Sequence, residues 1–230
     1  MNFLFNEEKY PKQVAITKAI SFWIIFILLL VVAGLFIHLV LPAKWERYAY
    51  GTLGTFAAFI ATIIVLKIEK NFFANYELKW EASTIANLLK GIIIGALCFG
   101  VMMLILTSFT TLSIEKSNKT VTINALLGLW YILPMAFMEE VAFRAYPFLK
   151  LKKAFGLRIA QLLVAVAFAI YHIVQGWNIE ISFLGPGIWA FVFGLGAVWS
   201  KGIALPTGIH ITINFLQEVL GMKGNNDHCI

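Results

Sequence analysis

The stretch that decides the fold is residues 19–41, AISFWIIFILLLVVAGLFIHLVL, an apolar run that contains no Lys, Arg, Asp or Glu. A transmembrane helix needs about 20 predominantly apolar residues. The apolar core of a cleavable signal peptide has only about 7–15. The run therefore predicts a first membrane-spanning helix that stays attached to the protein.

Six further apolar runs of spanning length follow, at residues 48–68, 88–112, 121–143, 157–175, 183–200 and 203–220. The whole chain is 60% hydrophobic and 13% charged, against about 45–50% and about 25% in ordinary soluble domains. This composition excludes a water-soluble globular domain. It predicts one all-α integral membrane domain over residues 1–230, a polytopic transmembrane bundle of about seven helices.

Glycine and proline interrupt the later runs, as in Gly185-Pro186-Gly187. Membrane helices tolerate these residues where neighbouring helices satisfy the freed backbone groups. The second half of the chain is therefore expected to pack against itself.

The positive charges indicate an orientation in the membrane. The net charge is +6, and the Lys and Arg residues lie in short clusters between apolar runs, which suits loops facing anionic lipid and carries no nucleic-acid-binding signature. If the loops alternate sides, thirteen of the 18 basic residues share the side of the N-terminus and five lie opposite. The positive-inside rule then predicts a cytoplasmic segment at 1–18. The tail at 224–230 is expected to be flexible; with seven spans it would lie outside, and with one helix more or fewer it would lie inside. The two cysteines, Cys98 and Cys229, predict neither a disulfide framework nor a thiolate metal site.

Ionisable side chains within the apolar runs are few and cluster late in the chain. Each costs at least a few kcal/mol unless it is paired or faces a wet cavity. We therefore expect a polar functional site within a core of about 121–220. His38 is expected to reach the membrane interface and Glu218 to lie at a solvated helix end. The residues in question are His38, Glu139, Glu140, Arg144, His172, His210 and Glu218.

Two adjacent acids lie in the fourth run. Glu140 and Arg144 are four residues apart in the favourable acid-then-base order, so on a helix they can neutralise each other. Glu139 is turned by about 100° and has no local partner. A carboxylate in that position either takes up a proton or serves as a base. Pairing of both acids with loop lysines at the membrane edge is the structural alternative.

Two further pairs have the spacing of one helical turn. Phe168 and His172 share a helical face, as do His210 and Asn214. Taken singly, each pair is also explained by helix packing, because polar pairs between membrane helices contribute about 0.6 kcal/mol. Together, the three motifs predict a functional site.

The ordered set Glu139-Glu140-x-x-x-Arg144, Phe168-x-x-x-His172 and His210-x-x-x-Asn214 resembles the CPBP family of intramembrane endopeptidases, the CAAX-protease and bacteriocin-processing group also called Abi. The resemblance covers residues 133–218, a little over a third of the chain. Phe143, just before Arg144, also fits the family pattern.

The resemblance implies roles for the motif residues. Glu139 and His172 would polarise a water molecule, and His210 and Asn214 would donate hydrogen bonds to the developing oxyanion. The substrate would be a membrane-associated protein or peptide, such as a prenylated protein tail, a pheromone or bacteriocin precursor, or a lipoprotein. Glu140, Arg144 and Phe168 would be supporting residues. Of these, Glu140 and Arg144 would hold Glu139 in place.

Metal dependence is left open by the residues. Glu139, His172 and His210 could form a three-ligand open zinc site. However, the chain lacks His-Glu-x-x-His, and Asn214 is a poor zinc ligand but a good oxyanion donor. We therefore favour the glutamate-dependent, metal-free chemistry that the resemblance to the CAAX-protease branch implies.

The compact size suits a bacterial cytoplasmic membrane.

Three other functions fit the same polar residues. A transporter would use the buried His and Glu to relay protons or bind an ion, although no inverted repeat is evident. A non-catalytic immunity or scaffold protein would keep the fold without activity. An acyltransferase would pass the acyl group to an amine instead of water.

One geometric condition applies to the protease hypothesis. If the fourth helix ended at the surface near Arg144, Glu139 would lie only about 8 Å deep and His172 about 21 Å deep, at about 1.5 Å per residue. The two residues can meet only if the helix continues toward Lys150, bent near Pro147. Arg144 must then be buried in protein.

Overall fold

The computed structural model describes residues 11–112, 114 and 122–222, and within these ranges the chain forms helices and no β-strand. Short 3₁₀ turns at Phe73–Tyr76 and Gly128–Tyr131 and a π-helical turn at Phe183–Gly187 join some of the helices. The predicted all-α bundle is confirmed. Its helices are α1 (Lys12–Val40), α2 (Ala43–Ile68), α3 (Thr84–Phe109), α4 (Ile123–Leu127), α5 (Ile132–Arg144), α6 (Tyr146–Phe155), α7 (Leu157–Val174), α8 (Ile179–Ser182), α9 (Ile188–Ser200) and α10 (Ala204–Val219).

Five helical segments are long and apolar enough to cross a membrane: Lys12–Val40, Ala43–Ile68, Thr84–Phe109, Leu157–Val174 and Ile179–Ser200. Their outer faces leave large apolar side chains uncovered, including Leu28, Leu39, Phe109 and Trp199. Contiguous apolar surface on this scale is rare on soluble monomers. The chain is therefore an integral membrane protein.

Each predicted run contains a helix, but some boundaries differ from the prediction. The first helix begins at Lys12 rather than at residue 19, because backbone hydrogen bonds propagate through its polar first turns. The run at 121–143 holds two helices, α4 and α5, joined by a 3₁₀ turn. The predicted tail at 224–230 lies outside the described residues, as do residues 1–10 and Lys116, Lys119, Lys223 and Cys229.

The chain bends between α5 and α6, as the protease hypothesis requires. α5 ends at Arg144, Ala145 leaves the helical region with φ −86° and ψ −107°, and α6 starts at Tyr146. Pro147 lies in the first turn of α6, where its missing N–H loses no helical hydrogen bond. The Arg144 side chain is fully buried, so the chain continues beyond the end of α5 inside the protein.

A carboxylate at the end of α2 ties three helices together. Glu69 lies 2.7 Å from Lys18 Nζ on α1 and 2.6 Å from Lys150 Nζ on α6. It also accepts hydrogen bonds from the Tyr146 hydroxyl at 2.8 Å and the Tyr76 hydroxyl at 3.1 Å. Both lysines belong to the thirteen basic residues predicted on the side of the N-terminus, and both contact Glu69. The sequence had not singled out Glu69.

Glu69→Gln is expected to lower the free energy of unfolding by about 1–3 kcal/mol at pH 7, a range reduced for partial solvation. Burial alone would raise the pKa of Glu69, but hydrogen bonds from Lys150, Lys18 and Tyr146 outweigh it and lower the pKa from 4.5 to about 2. The contribution of the carboxylate is thus present above pH 4.5 and is lost as the pH falls toward 2. Unfolding midpoints in detergent between pH 7 and pH 3 measure this. Glu81→Gln, which removes an exposed partner of Lys79, is the control, and equal midpoints for both variants at pH 7 would contradict the expectation.

α3 packs mainly against α10 through glycines. A Cβ at Gly208 would collide with the backbone oxygen of Leu88, and a Cβ at Gly91 with that of Leu205. Small residues let membrane helices approach this closely. Because His210 follows Gly208 by two residues, this contact also fixes the depth and rotation of the His210 side chain.

Gly208→Ala is expected to destabilise the protein by about 1–3 kcal/mol, because backbone atoms rather than a flexible side chain must move to admit the methyl group. Gly100→Ala on α3 is the matched control, since nothing lies within 4 Å of its added Cβ. That change should be neutral or stabilising by up to about 1 kcal/mol. Unfolding by SDS titration in mixed micelles measures both, and a Gly208→Ala variant as stable as Gly100→Ala would disprove the close contact.

Candidate active site

The site forms where α5 meets α10. His210 Nδ1 lies 2.7 Å from Glu140 Oε1, and His210 Nε2 lies 3.5 Å from Glu139 Oε2. The two acids thus contact opposite edges of one imidazole ring, across 70 residues of chain. Glu139 and Glu140 can do this because consecutive residues of a helix project about 100° apart.

All the ionisable groups of the site are buried. The exposed fractions are 0% for Glu140, 8% for Glu139, 5% for His210 and 9% for His172. Charges at such depth require neutralisation by partners, because their desolvation costs several kcal/mol each.

Arg144 neutralises one of the two acids. Its Nε lies 3.4 Å from Glu140 Oε2, and its guanidinium carbon lies 4.3 Å from the Phe168 ring centroid and 5.1 Å from that of Phe193. The ring faces provide cation–π stabilisation, which increases when the cation is desolvated. Within the described part of the chain, the guanidinium nitrogens make no hydrogen bond.

The contacts correct one expectation from the sequence. Glu140 and Arg144 were expected to pair with each other and also to hold Glu139; the pair is present, but Glu140 bonds to His210 rather than to Glu139. The physical reason is helix rotation: the face of α5 that carries Glu140 and Arg144 points toward α10, and Glu139 reaches the same imidazole from the side.

The hydrogen bond to Glu140 sets the tautomer of His210. Beside Arg144, the Glu140 carboxylate is an acceptor, so His210 donates from Nδ1–H. His210 Nε2 then faces Glu139 Oε2 across 3.5 Å.

His172 on α7 has a defined orientation. Its Nδ1 lies 2.8 Å from the carbonyl oxygen of Phe168, and because a carbonyl only accepts, Nδ1 carries the proton and Nε2 is left as a proton acceptor. The Phe168 ring packs against both imidazoles, with centroid distances of 4.6 Å to His172 and 6.3 Å to His210.

The remaining candidate residues lie at or beyond the edge of the site. Asn214 is half-buried one turn after His210 on α10. Glu218 lies 3.7 Å from Arg47, and His38, largely exposed, lies 3.5 Å from Glu46. The last two pairs are ordinary contacts between helix ends.

The described residues contain no ready-made metal site. Within the described residues, no three His, Cys, Asp or Glu side chains are grouped so as to hold a metal ion. Of the three candidate zinc ligands, Glu139 and His210 are adjacent, and Phe168 packs against both His210 and His172. The described residues as placed do not form the three-ligand set.

Several residues around the site were not found from the sequence. Phe193 on α9 stacks on His210. Gln175 Nε2 donates to the Tyr50 hydroxyl at 2.7 Å, and Tyr50 lies 3.4 Å from the Tyr171 hydroxyl, which ties the end of α7 to α2. A single aromatic or amide in an apolar run carries no signal that distinguishes such a role from core packing.

Fold and site together define a polytopic helical membrane protein with a buried carboxylate–imidazole centre among apolar helices. Residues 120–216 match the model of the Rce1-like family, described as Type II CAAX prenyl endopeptidase Rce1-like. The matched region contains every motif residue, so the resemblance to the CPBP endopeptidases is confirmed for this part of the chain. No curated protein and no solved structure gives a significant match to the chain.

Proposed function

We propose that this protein hydrolyses a peptide bond of a membrane-associated protein or peptide, using water activated by Glu139 and His172. The observation that carries the proposal is the buried contact of Glu139 with His210 Nε2 at 3.5 Å, beside the neutralised Glu140–Arg144 pair. An acid kept at this depth next to an imidazole can exchange a proton without creating net charge. General acid–base catalysis in a bilayer requires such a group.

The hydrolytic step follows from these groups. The oxygen of water attacks the carbonyl carbon while Glu139 takes its proton, with His172 Nε2 orienting the water. The proton then passes to the leaving amine nitrogen as the carbon–nitrogen bond breaks, which restores Glu139. General acid–base catalysis of this kind contributes about 10²–10⁴-fold in rate.

In this proposal, two side chains of α10 stabilise the oxyanion. His210, held by Glu140, would donate from Nε2–H, and the Asn214 amide one turn further along would be the second donor. Loss of one such donor typically costs about 10²–10³-fold in rate. Glu140 and Arg144 act through His210 as positioning residues.

We further propose the substrate class and the orientation. A prenylated C-terminal tail is the first candidate, from the description of the matching family; a pheromone or bacteriocin precursor and a lipoprotein are the others. The N-terminus is cytoplasmic, which places Lys18, Glu69 and Lys150 on the cytoplasmic side, and the membrane is a bacterial cytoplasmic membrane. No metal is assigned, and zinc is the alternative.

Reconstituted protein incubated with farnesylated and unmodified peptide libraries in H₂¹⁸O is expected to release fragments carrying one ¹⁸O at the new carboxyl terminus. His172→Gln should lower the rate by about 10²-fold or more. Mass spectrometry reads the products, and metal analysis with chelator treatment and zinc add-back is done on the same sample. Zinc-dependent recovery would assign a metal enzyme instead.

Three outcomes would overturn the proposal. A mass gain on an added amine with no ¹⁸O would indicate acyl transfer. Ion flux into vesicles without cleavage would indicate transport. Capture of a partner that persists in His172→Gln, again without cleavage, would indicate a non-catalytic protein.

A further inference from the structure

Phe193 lies outside the three motifs and makes the closest ring contact of His210 among the described residues. The two rings are stacked, with centroids 4.4 Å apart and planes inclined by 13°. Phe193 is 2% exposed. The same ring lies 5.1 Å from the guanidinium carbon of Arg144. One phenyl group thus contacts both His210 and Arg144.

The position of Phe193 depends on how α9 is docked. The buried residues Ala190, Phe193, Gly194 and Ala197 follow the i, i+3, i+4, i+7 pattern of one helical face. The preceding π-helical turn at Phe183–Gly187 contains an extra residue per turn, which rotates the following helix relative to a regular continuation.

Gly194 allows the close approach of α9 to α7. A Cβ at Gly194 would collide with the amide oxygen of Gln161, and Gln161 Nε2 donates to the Phe191 carbonyl oxygen at 3.3 Å. The backbone on both sides of Phe193 is therefore held, so the phenyl ring has little freedom to move away from His210.

The His210 imidazole needs such a restraint if it is to contact Glu140 and Glu139 at the same time. The χ2 torsion of histidine is broad, unlike the staggered torsions of aliphatic side chains. Rotation about it would move Nδ1 off Glu140 and Nε2 away from Glu139. A ring stacked on the imidazole face resists that rotation, and aromatic pairs of this kind contribute about two- to tenfold in an equilibrium or rate constant.

We infer that Phe193 is a positioning residue that fixes the plane of His210, so that the imidazole contacts Glu140 and Glu139 simultaneously. The catalytic consequence rests on the proposed function, whereas the effect on the ring does not. Phe193→Met removes the ring but keeps a flexible apolar side chain, and Phe193→Tyr keeps the ring. Phe99→Met is the matched control, since Phe99 is a similarly buried phenylalanine on α3.

The first readout is ¹⁵N NMR of histidine-labelled protein in nanodiscs, with His210 assigned by its loss in His210→Gln. Phe193→Met should speed hydrogen exchange of the His210 Nδ1–H by about two- to tenfold. Phe99→Met and Phe193→Tyr should leave it within about twofold of wild type. An unchanged His210 signal in Phe193→Met overturns the inference, as does an equal change in Phe99→Met.

The second readout is peptide cleavage. Phe193→Met should lower kcat by about two- to tenfold at constant KM, with recovery in Phe193→Tyr. If no variant, including wild type, cleaves any peptide but the exchange rate of His210 still changes as expected, the proposed function fails and the positioning role stands. If wild type cleaves peptides but the exchange rate of His210 does not change in Phe193→Met, the positioning role fails and the proposed function stands.

Discussion

Glu139→Gln is expected to reduce peptide cleavage by about 10²–10⁴-fold while leaving the fold intact. Glutamine keeps the shape of the side chain but cannot take a proton from water. It also cannot exchange a proton with His210 Nε2, which lies 3.5 Å from the Glu139 carboxylate. Initial rates from the ¹⁸O assay, with unfolding midpoints on the same preparations, measure the effect.

Glu180→Gln on α8 is the matched control for that experiment. Glu180 is exposed, and its replacement should change the cleavage rate by less than about twofold, since surface substitutions away from special features are close to neutral. If Glu139→Gln cleaves within about threefold of Glu180→Gln, Glu139 is not the base and the proposed water activation is wrong.

Arg144→Met is expected to have the largest effect on stability, with a loss of about 3–5 kcal/mol. The substitution keeps an apolar stem against Phe168 and Phe193 but removes the cation beside Glu140 at 3.4 Å. Glu140 would then be a buried carboxylate with His210 as its remaining partner. SDS unfolding in mixed micelles measures the loss.

Two further variants separate lost charge from lost packing. Arg158→Met removes an exposed arginine at the start of α7 and should cost less than about 0.5 kcal/mol. Combining Arg144→Met with Glu140→Gln removes both charges, so the double variant should be less destabilised than the sum of the single variants. Strict additivity would show that Glu140 and Arg144 are not coupled.

Local sequence patterns were sufficient to predict features that depend on residues close together in the chain. An apolar run such as 19–41 can satisfy its backbone in lipid only as a helix, so the helical fold followed from composition and run length. The four-residue spacing likewise put Glu140 with Arg144, which are 3.4 Å apart in the structure.

Contacts between distant segments did not follow from the sequence. Glu69 binds Lys18 and Lys150 because the ends of α1, α2 and α6 meet at one level, and no local pattern sets that level. Glu140 also bonds to His210, 70 residues away, a contact that no local pattern indicates. The placement of Phe193 depends on the turn before α9 and on Gly194.

The sequence by itself determined that this protein is a bundle of membrane helices with a few ionisable groups late in the chain, because insertion into lipid and helical spacing depend on residues close together. Tertiary structure alone decided which of those groups touch. Helix rotation and depth are set by packing at glycines such as Gly208 and at the bend after Arg144, and a rotation of one residue, about 100°, would exchange one partner for another.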